Sequence, residues 1–156
     1  MRTYRAAFAI GLLAAGLMGC SGVPPTNLGV RNGKLAACPS SPNCVSSQAA
    51  DAKHRIDPIT YDSALPVAMA RLKQVIAHMK RARIVSQSDD YLRVEFTSRV
   101  MRFVDDAEFY FDDHSKHIEM RSAARLGYYD FGVNRRRMQV IRRQFVAAQS
   151  EAASHH

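Results

Sequence analysis

Three stretches of this chain alternate apolar and polar residues with a period of two. Leu92, Val94 and Phe96 point one way, and Arg93, Glu95 and Thr97 the other. Ala107, Phe109 and Phe111 are opposed by Asp106, Glu108 and Tyr110, and Ile118, Met120 and Ser122 by Glu119, Arg121 and Ala123. A brief run, Arg83 to Ser86, precedes them, and polar turns at Asp89-Asp90 and Asp112–Ser115 separate the runs. Such alternation predicts an antiparallel meander with one face buried and one solvated. The mixed signs of the outer face suit cross-strand pairing.

Two other stretches step by three and four. Leu65, Ala68, Leu72, Val75, Ile76 and Met79 form one apolar face of a helix. Asp62-Ser63 offers it a cap, Pro66 fits its first turn, and Lys80, Arg81 and Arg83 suit the negative pole at its end. Met138, Ile141, Phe145 and Ala148 predict a second helix, beginning near Asn134 and flanked by Arg135, Arg136, Arg142 and Arg143. A short extended segment is expected between Arg55 and Tyr61, bent or at an edge because of Pro58. The fold class is α+β: two layers, an antiparallel sheet of four to five strands, and two helices on one face, in the order β-α-β-β-β-β-α.

The first residues read differently. Arg2 and Arg5 precede an apolar run from Ala6 to Met18, too short for the ~20 residues of a spanning helix. A positive head, a short apolar middle and a small residue describe a secretory signal. Leu17-Met18-Gly19-Cys20 resembles a bacterial lipoprotein lipobox. The resemblance implies removal of residues 1–19 and acylation of Cys20, with three chains on the mature cysteine. Several chains anchor durably where one does not. Ser21 is compatible with the outer membrane, where an aspartate would favour inner-membrane retention. Residues 20–35, rich in Pro and Gly, read as a flexible tether, 36–149 as a single domain, and 150–156 as a disordered tail.

The chain is basic, with a formal charge of +8 that falls by two when Arg2 and Arg5 leave. Export argues against nucleic acid as the partner of that charge. The polyanions of an envelope are phospholipid headgroups, lipopolysaccharide phosphates and cell-wall carboxylates. With Cys20 lipidated, Cys38 and Cys44 remain as an even pair in an oxidising compartment, and a disulfide is expected. The rival, a metal site of Cys38, Cys44 and His54, lacks a fourth ligand.

Three motifs carry a family resemblance: the run Cys38 to Gln48, the run Phe103 to Phe109, and the run Arg121 to Arg137. Together they resemble the DUF1499 family of bacterial proteins, many of them expected lipoproteins, over about Leu35 to Arg143. Ala124 departs from the pattern, where serine is expected. The resemblance implies a domain and no established activity.

Candidate chemistry gathers in two places. In the bend from Arg121 to Arg137, Gly127 and Gly132 can take positive φ, and Asp130 or Asn134 can cap the incoming helix. A helix start attracts anions, and Arg125 and Arg135 would converge there, with Arg121 and Ser122 nearby, as a phosphate or carboxylate pocket. Asp105 and Asp106 invite an acid–base reading. Neighbours in a strand face opposite ways, so pairing with Arg121 or Arg125 is the simpler expectation. Asp112, Asp113, His114 and His117 read as a hairpin turn, and no metal or cofactor is expected. A Gly-x-Ser-x-Gly elbow, Ser-x-x-Lys, His-Glu-x-x-His and a P-loop are all missing from the sequence.

These observations predict a lipid-anchored envelope protein, most consistent with the outer membrane facing the periplasm. It would bind an anionic lipid, lipopolysaccharide, cell wall or protein partner without catalysis. Alternatives are a hydrolase-like enzyme using Asp105 or Asp106 with an arginine, which calls for Asp105, Asp106 and His54 in one concavity, and a structural assembly factor, which calls for an exposed apolar patch on the sheet or second helix.

Overall fold

The structure, a computed structural model, describes residues 22–154; the signal and Cys20 lie outside the described residues. Eight elements follow in order: β1 (Cys44–Ser46), β2 (Ile59–Thr60), α1 (Leu65–Ala77), β3 (Ala82–Gln87), β4 (Tyr91–Thr97), β5 (Val104–Asp112), β6 (His117–Ala124) and α2 (Val133–Ser154). The fold is α+β, and its six-stranded sheet has one or two strands more than the sequence reading. The meander β3-β4-β5-β6 is fully antiparallel. The additional strand β1 pairs with β6 through Cys44–Ala123 and Ser46–Arg121, while β2 pairs further along the same edge through Ile59–Ile118. The element order is therefore β-β-α-β-β-β-β-α.

The apolar sets of the alternating strands and both helix stripes bury together. Leu92, Val94, Phe109, Phe111, Ile118 and Met120 meet Leu72, Val75 and Ile76 of α1, and Met138, Ile141 and Phe145 of α2. Arg137 lies over the Phe96 ring, 4.5 Å from its centroid, so the aliphatic stem of the arginine extends the core toward the helix start.

The helix ends differ from expectation. The backbone of α1 starts at Ala64, whose carbonyl accepts from Val67 and Ala68, and neither Asp62 nor Ser63 caps it. Pro66 lies in the first turn, where its missing N–H costs no hydrogen bond. The helix stops at Ala77, short of Lys80 and Arg81; Arg81 instead takes a positive φ of 58° and donates Nε to the Thr97 carbonyl, turning the chain into β3. At the other end of the chain, α2 runs on to Ser154, into the segment read as a tail.

The largest departure concerns the outer face of the sheet. Glu108 is 0% exposed, Asp106 1% and Arg121 4%, so the middle of this face is not solvated, although Arg83 at its edge is. Part of its cover is the segment read as a tether. The Gly29 N–H donates to Glu108 Oε1 at 2.7 Å, the Leu35 N–H to Gln48 Oε1 at 2.8 Å, and Gln48 Nε2 to the Gly33 carbonyl at 3.0 Å. Gly29 has a φ of 100°, a conformation glycine adopts readily, and that conformation turns its N–H onto the carboxylate.

Candidate functional site

The chemistry-bearing residues divide into three groups. The first is a charged lattice on the outer face. Arg125, at the end of β6, donates Nε to Asp106 Oδ2 at 2.7 Å and Nη2 to Asp106 Oδ1 at 2.9 Å, and also reaches Glu95. Arg93 donates to Asp106 Oδ1 and to Glu95. Arg121 donates Nη1 to Glu108 Oε2 at 3.0 Å, and the Tyr91 hydroxyl donates to Glu108 Oε1 at 2.9 Å. The cross-strand registers Arg93–Glu108, Glu95–Asp106 and Glu108–Arg121 put these groups side by side. Their mutual bonds act on protonation. Burial alone would raise the Glu95 carboxyl, but Arg125 and Arg83 hold it below its ordinary value. Hydrogen bonding to Asp106 raises the Arg125 guanidinium against the opposing effect of burial. Burial raises the Tyr91 phenol, and Glu108 adds to it.

The second group lies on the helix side. Asp105 faces away from Asp106 and accepts Arg137 Nη2 at 2.7 Å; burial pushes its carboxyl up despite that partner. Arg137 Nη1 also donates to Asn134 Oδ1, which accepts the Ser122 hydroxyl at 2.5 Å, while Asn134 Nδ2 donates to the Asn43 carbonyl. Asn134 is thus a buried joint between α2, β6 and the loop before β1. Asp130 caps α2, accepting Gly132 N–H at 2.9 Å and Asn134 N–H at 2.8 Å. Gly127 and Gly132 take the positive φ values expected of them, 87° and 71°.

This geometry corrects the expected anion pocket at the bend. The helix start is already occupied by the chain's own carboxylate, Asp130. Arg125 and Arg135 do not converge: Arg125 is held by Asp106 and Glu95, and Arg135 donates Nη1 to the Arg55 carbonyl at 2.7 Å and Nη2 to the Lys53 carbonyl at 2.5 Å. Nor do Asp105, Asp106 and His54 meet. His54 sits between Asp51, at 2.8 Å from Nδ1, and the Ser41 carbonyl, at 3.1 Å from Nε2. Cys38 and Cys44 are joined in a disulfide, which removes both as metal ligands. Asp112 accepts the Ser115 hydroxyl and the N–H groups of His114 and Ser115, the bonding of a hairpin turn.

The third group was missed apart from Arg135, which the sequence reading assigned to the bend. Arg55, Asp57, Arg135 and Arg142 surround a cavity of about 140 Å³ floored by Ile56, Met120 and Met138. Of the three arginines only Arg142 reaches the carboxylate, Asp57, at 3.5 Å, and Arg55 donates Nη1 to the Ala49 carbonyl at 2.8 Å. Arg135 is fixed by the two carbonyls, whereas Arg142 is partly exposed and loosely paired. The sequence held one signal for this cleft: Arg135 and Arg142 are seven residues apart, two turns along one helix face. Arg55 joins them only through the packing of the β1–β2 connection against α2.

A two-layer α+β domain with an internal arginine–carboxylate lattice is the class this architecture defines. The family model DUF1499, described as a protein of unknown function, matches residues 34–145, and the chain belongs to that family. No curated protein and no solved structure matches it significantly. Among the described residues, no helix is long and apolar enough to cross a membrane.

Proposed function

We propose that this protein is a lipid-anchored protein of the bacterial envelope that binds an anionic envelope component, taking its phosphate or carboxylate group in the cleft of Arg55, Arg135 and Arg142. The carrying observation is that three arginines and one carboxylate line a single concavity in which Arg142 is only loosely paired, while backbone carbonyls orient Arg55 and Arg135. Guanidinium groups suit phosphate and carboxylate because their paired donors match two oxygens at once. The disulfide supports an oxidising compartment, and the sequence Leu17 to Cys20 supports the lipid anchor. Binding is favoured over catalysis because Asp105, Asp106 and His54 are each committed to a partner within the domain.

The test is calorimetric titration of the full-length protein in detergent with glycerol phosphate and with a muropeptide. Arg142→Ala should weaken binding of one of them by about tenfold or more. The Arg142–Asp57 contact is exposed, so this variant should fold normally. Binding of equal strength in the variant, or no binding of either ligand by the parent, overturns the proposal.

A further inference from the structure

Two loops at the same end of the sheet expose apolar side chains. The β4–β5 loop presents Val100 and Met101, at 81% and 59% exposure, and the β6–α2 loop presents Tyr128 and Phe131, at 70% and 77%. The Arg125 N–H donates to the Val104 carbonyl and ties the loops together. Tyr129 packs edge-on against Phe131, ring centroids 5.1 Å apart. Phe131 has a φ of 54°, a left-handed conformation unfavourable for so bulky a residue. Its carbonyl accepts Arg136 Nη1, the Asp130 carboxylate before it accepts the Gly132 N–H after it, and its ring is exposed. Arg99 and Arg102 are exposed in the first loop, and no carboxylate lies within it.

The path of the N-terminal segment supplies the second observation. A side chain at Gly22 would lie 3.0 Å from Arg125 Cβ and 3.2 Å from Leu126 Cγ, so the chain runs against this same end. Cys20 is two residues earlier, a reach of no more than about 7 Å. An anchor on Cys20 would therefore lie within that reach of Gly22, which itself packs beside Leu126.

We infer that this end of the domain rests on the bilayer that holds the Cys20 lipid, with Tyr128, Phe131, Val100 and Met101 in the interfacial layer and Arg99 and Arg102 against phosphate headgroups. The inference rests on the proposed anchor. Tyrosine prefers the membrane–water interface because its ring is apolar and its hydroxyl is wet. Arginine near an anionic leaflet gains favourable attraction, and its aliphatic stem lies along the apolar layer. A second contact of this kind fixes orientation, so the domain stands upright on the bilayer rather than swinging from its anchor. The arginine cleft near α2 is then held at a set height.

The protein has no tryptophan, which permits a direct test. Full-length Tyr128→Trp and His114→Trp proteins are reconstituted into vesicles of phosphatidylethanolamine and phosphatidylglycerol that contain acyl-brominated lipid. His114 is exposed in the β5–β6 turn, at the far end of a nine-residue strand, about 25–30 Å away. Emission from the Tyr128→Trp protein should shift to the blue and fall by roughly half with brominated lipid, while that of His114→Trp stays unchanged. Mass spectrometry of the same samples reads the Cys20 anchor. An acylated, vesicle-bound protein with equal and weak quenching at both sites overturns the docking and leaves the anchor standing. A blue shift without quenching also overturns it, assigning this end to a protein contact. An unacylated protein that leaves the vesicles overturns anchor and docking together.

Discussion

Asp106 and Arg125 meet through two parallel hydrogen bonds, 2.7 and 2.9 Å long, on a sheet face that should be wet by its pattern and whose centre is dry in fact. The carboxylate is 1% exposed and the guanidinium side chain 5%. Removing one member of such a pair leaves the other charged and out of water. Asp106→Ala should therefore destabilise the domain by about 3–5 kcal/mol, measured by urea unfolding. Replacement of both residues by apolar side chains of similar volume should recover much of that loss, because the orphaned charge is gone. Equal stability of parent and single variant would show that solvent reaches this face.

Glu95 gives the lattice a pH dependence. Its carboxyl is held below its ordinary value by Arg125 and Arg83 despite burial. A carboxylate depressed on folding contributes stability fully above its unfolded value, about 4.3. The contribution is lost as pH falls through the lowered folded value. Glu95→Gln should therefore melt below the parent at neutral pH, and the gap should close as the pH drops to about 3. Asp105 works in the opposite sense, since burial raises it and protonation in acid relieves it. Thermal melts at stepped pH check the expectation, and a gap that widens in acid would refute it.

Asn134 should be as sensitive as any core residue. It is fully buried and bonded to Ser122, Arg137 and the Asn43 carbonyl. Asn134→Ala strands the Ser122 hydroxyl without water and takes an acceptor from Arg137, each at a cost of about 1–3 kcal/mol, while the Asn43 carbonyl keeps the Ala124 N–H. Asn134→Asp keeps the acceptor for Ser122 and Arg137 but loses the donor to Asn43, so it should fall between parent and alanine variant in urea midpoint.

The parts of the fold that were legible share one property: their signal is local and repeated. The strands of Leu92, Phe109 and Ile118 and the stripes of Leu72 and Ile141 each recur with a fixed period, and the opposite facing of Asp105 and Asp106 follows from that period. What stayed hidden depends on partners distant in sequence. Strand β1 has only three residues, Cys44-Val45-Ser46, and is a strand because β6 offers it an edge. The segment from Gly22 to Leu35 has no apolar period, since its backbone supplies several of the bonds that hold it. Charged residues that pair under cover look, in sequence, like charged residues in water. The bend misled for a related reason: Arg125 and Arg135 are close in number, but one ends a strand facing the lattice and the other belongs to a helix over the opposite face.

The bond from Gly29 to Glu108 spans 79 residues, and that separation has a consequence for assembly. The opening segment of the polypeptide cannot be laid in place until the fifth and sixth strands exist to receive it. An unfinished sheet thus turns its ionised side outward, where water keeps it dispersed, and is walled in only as the last step. Amide exchange should report that order, with the Gly29 N–H the latest to gain protection during refolding.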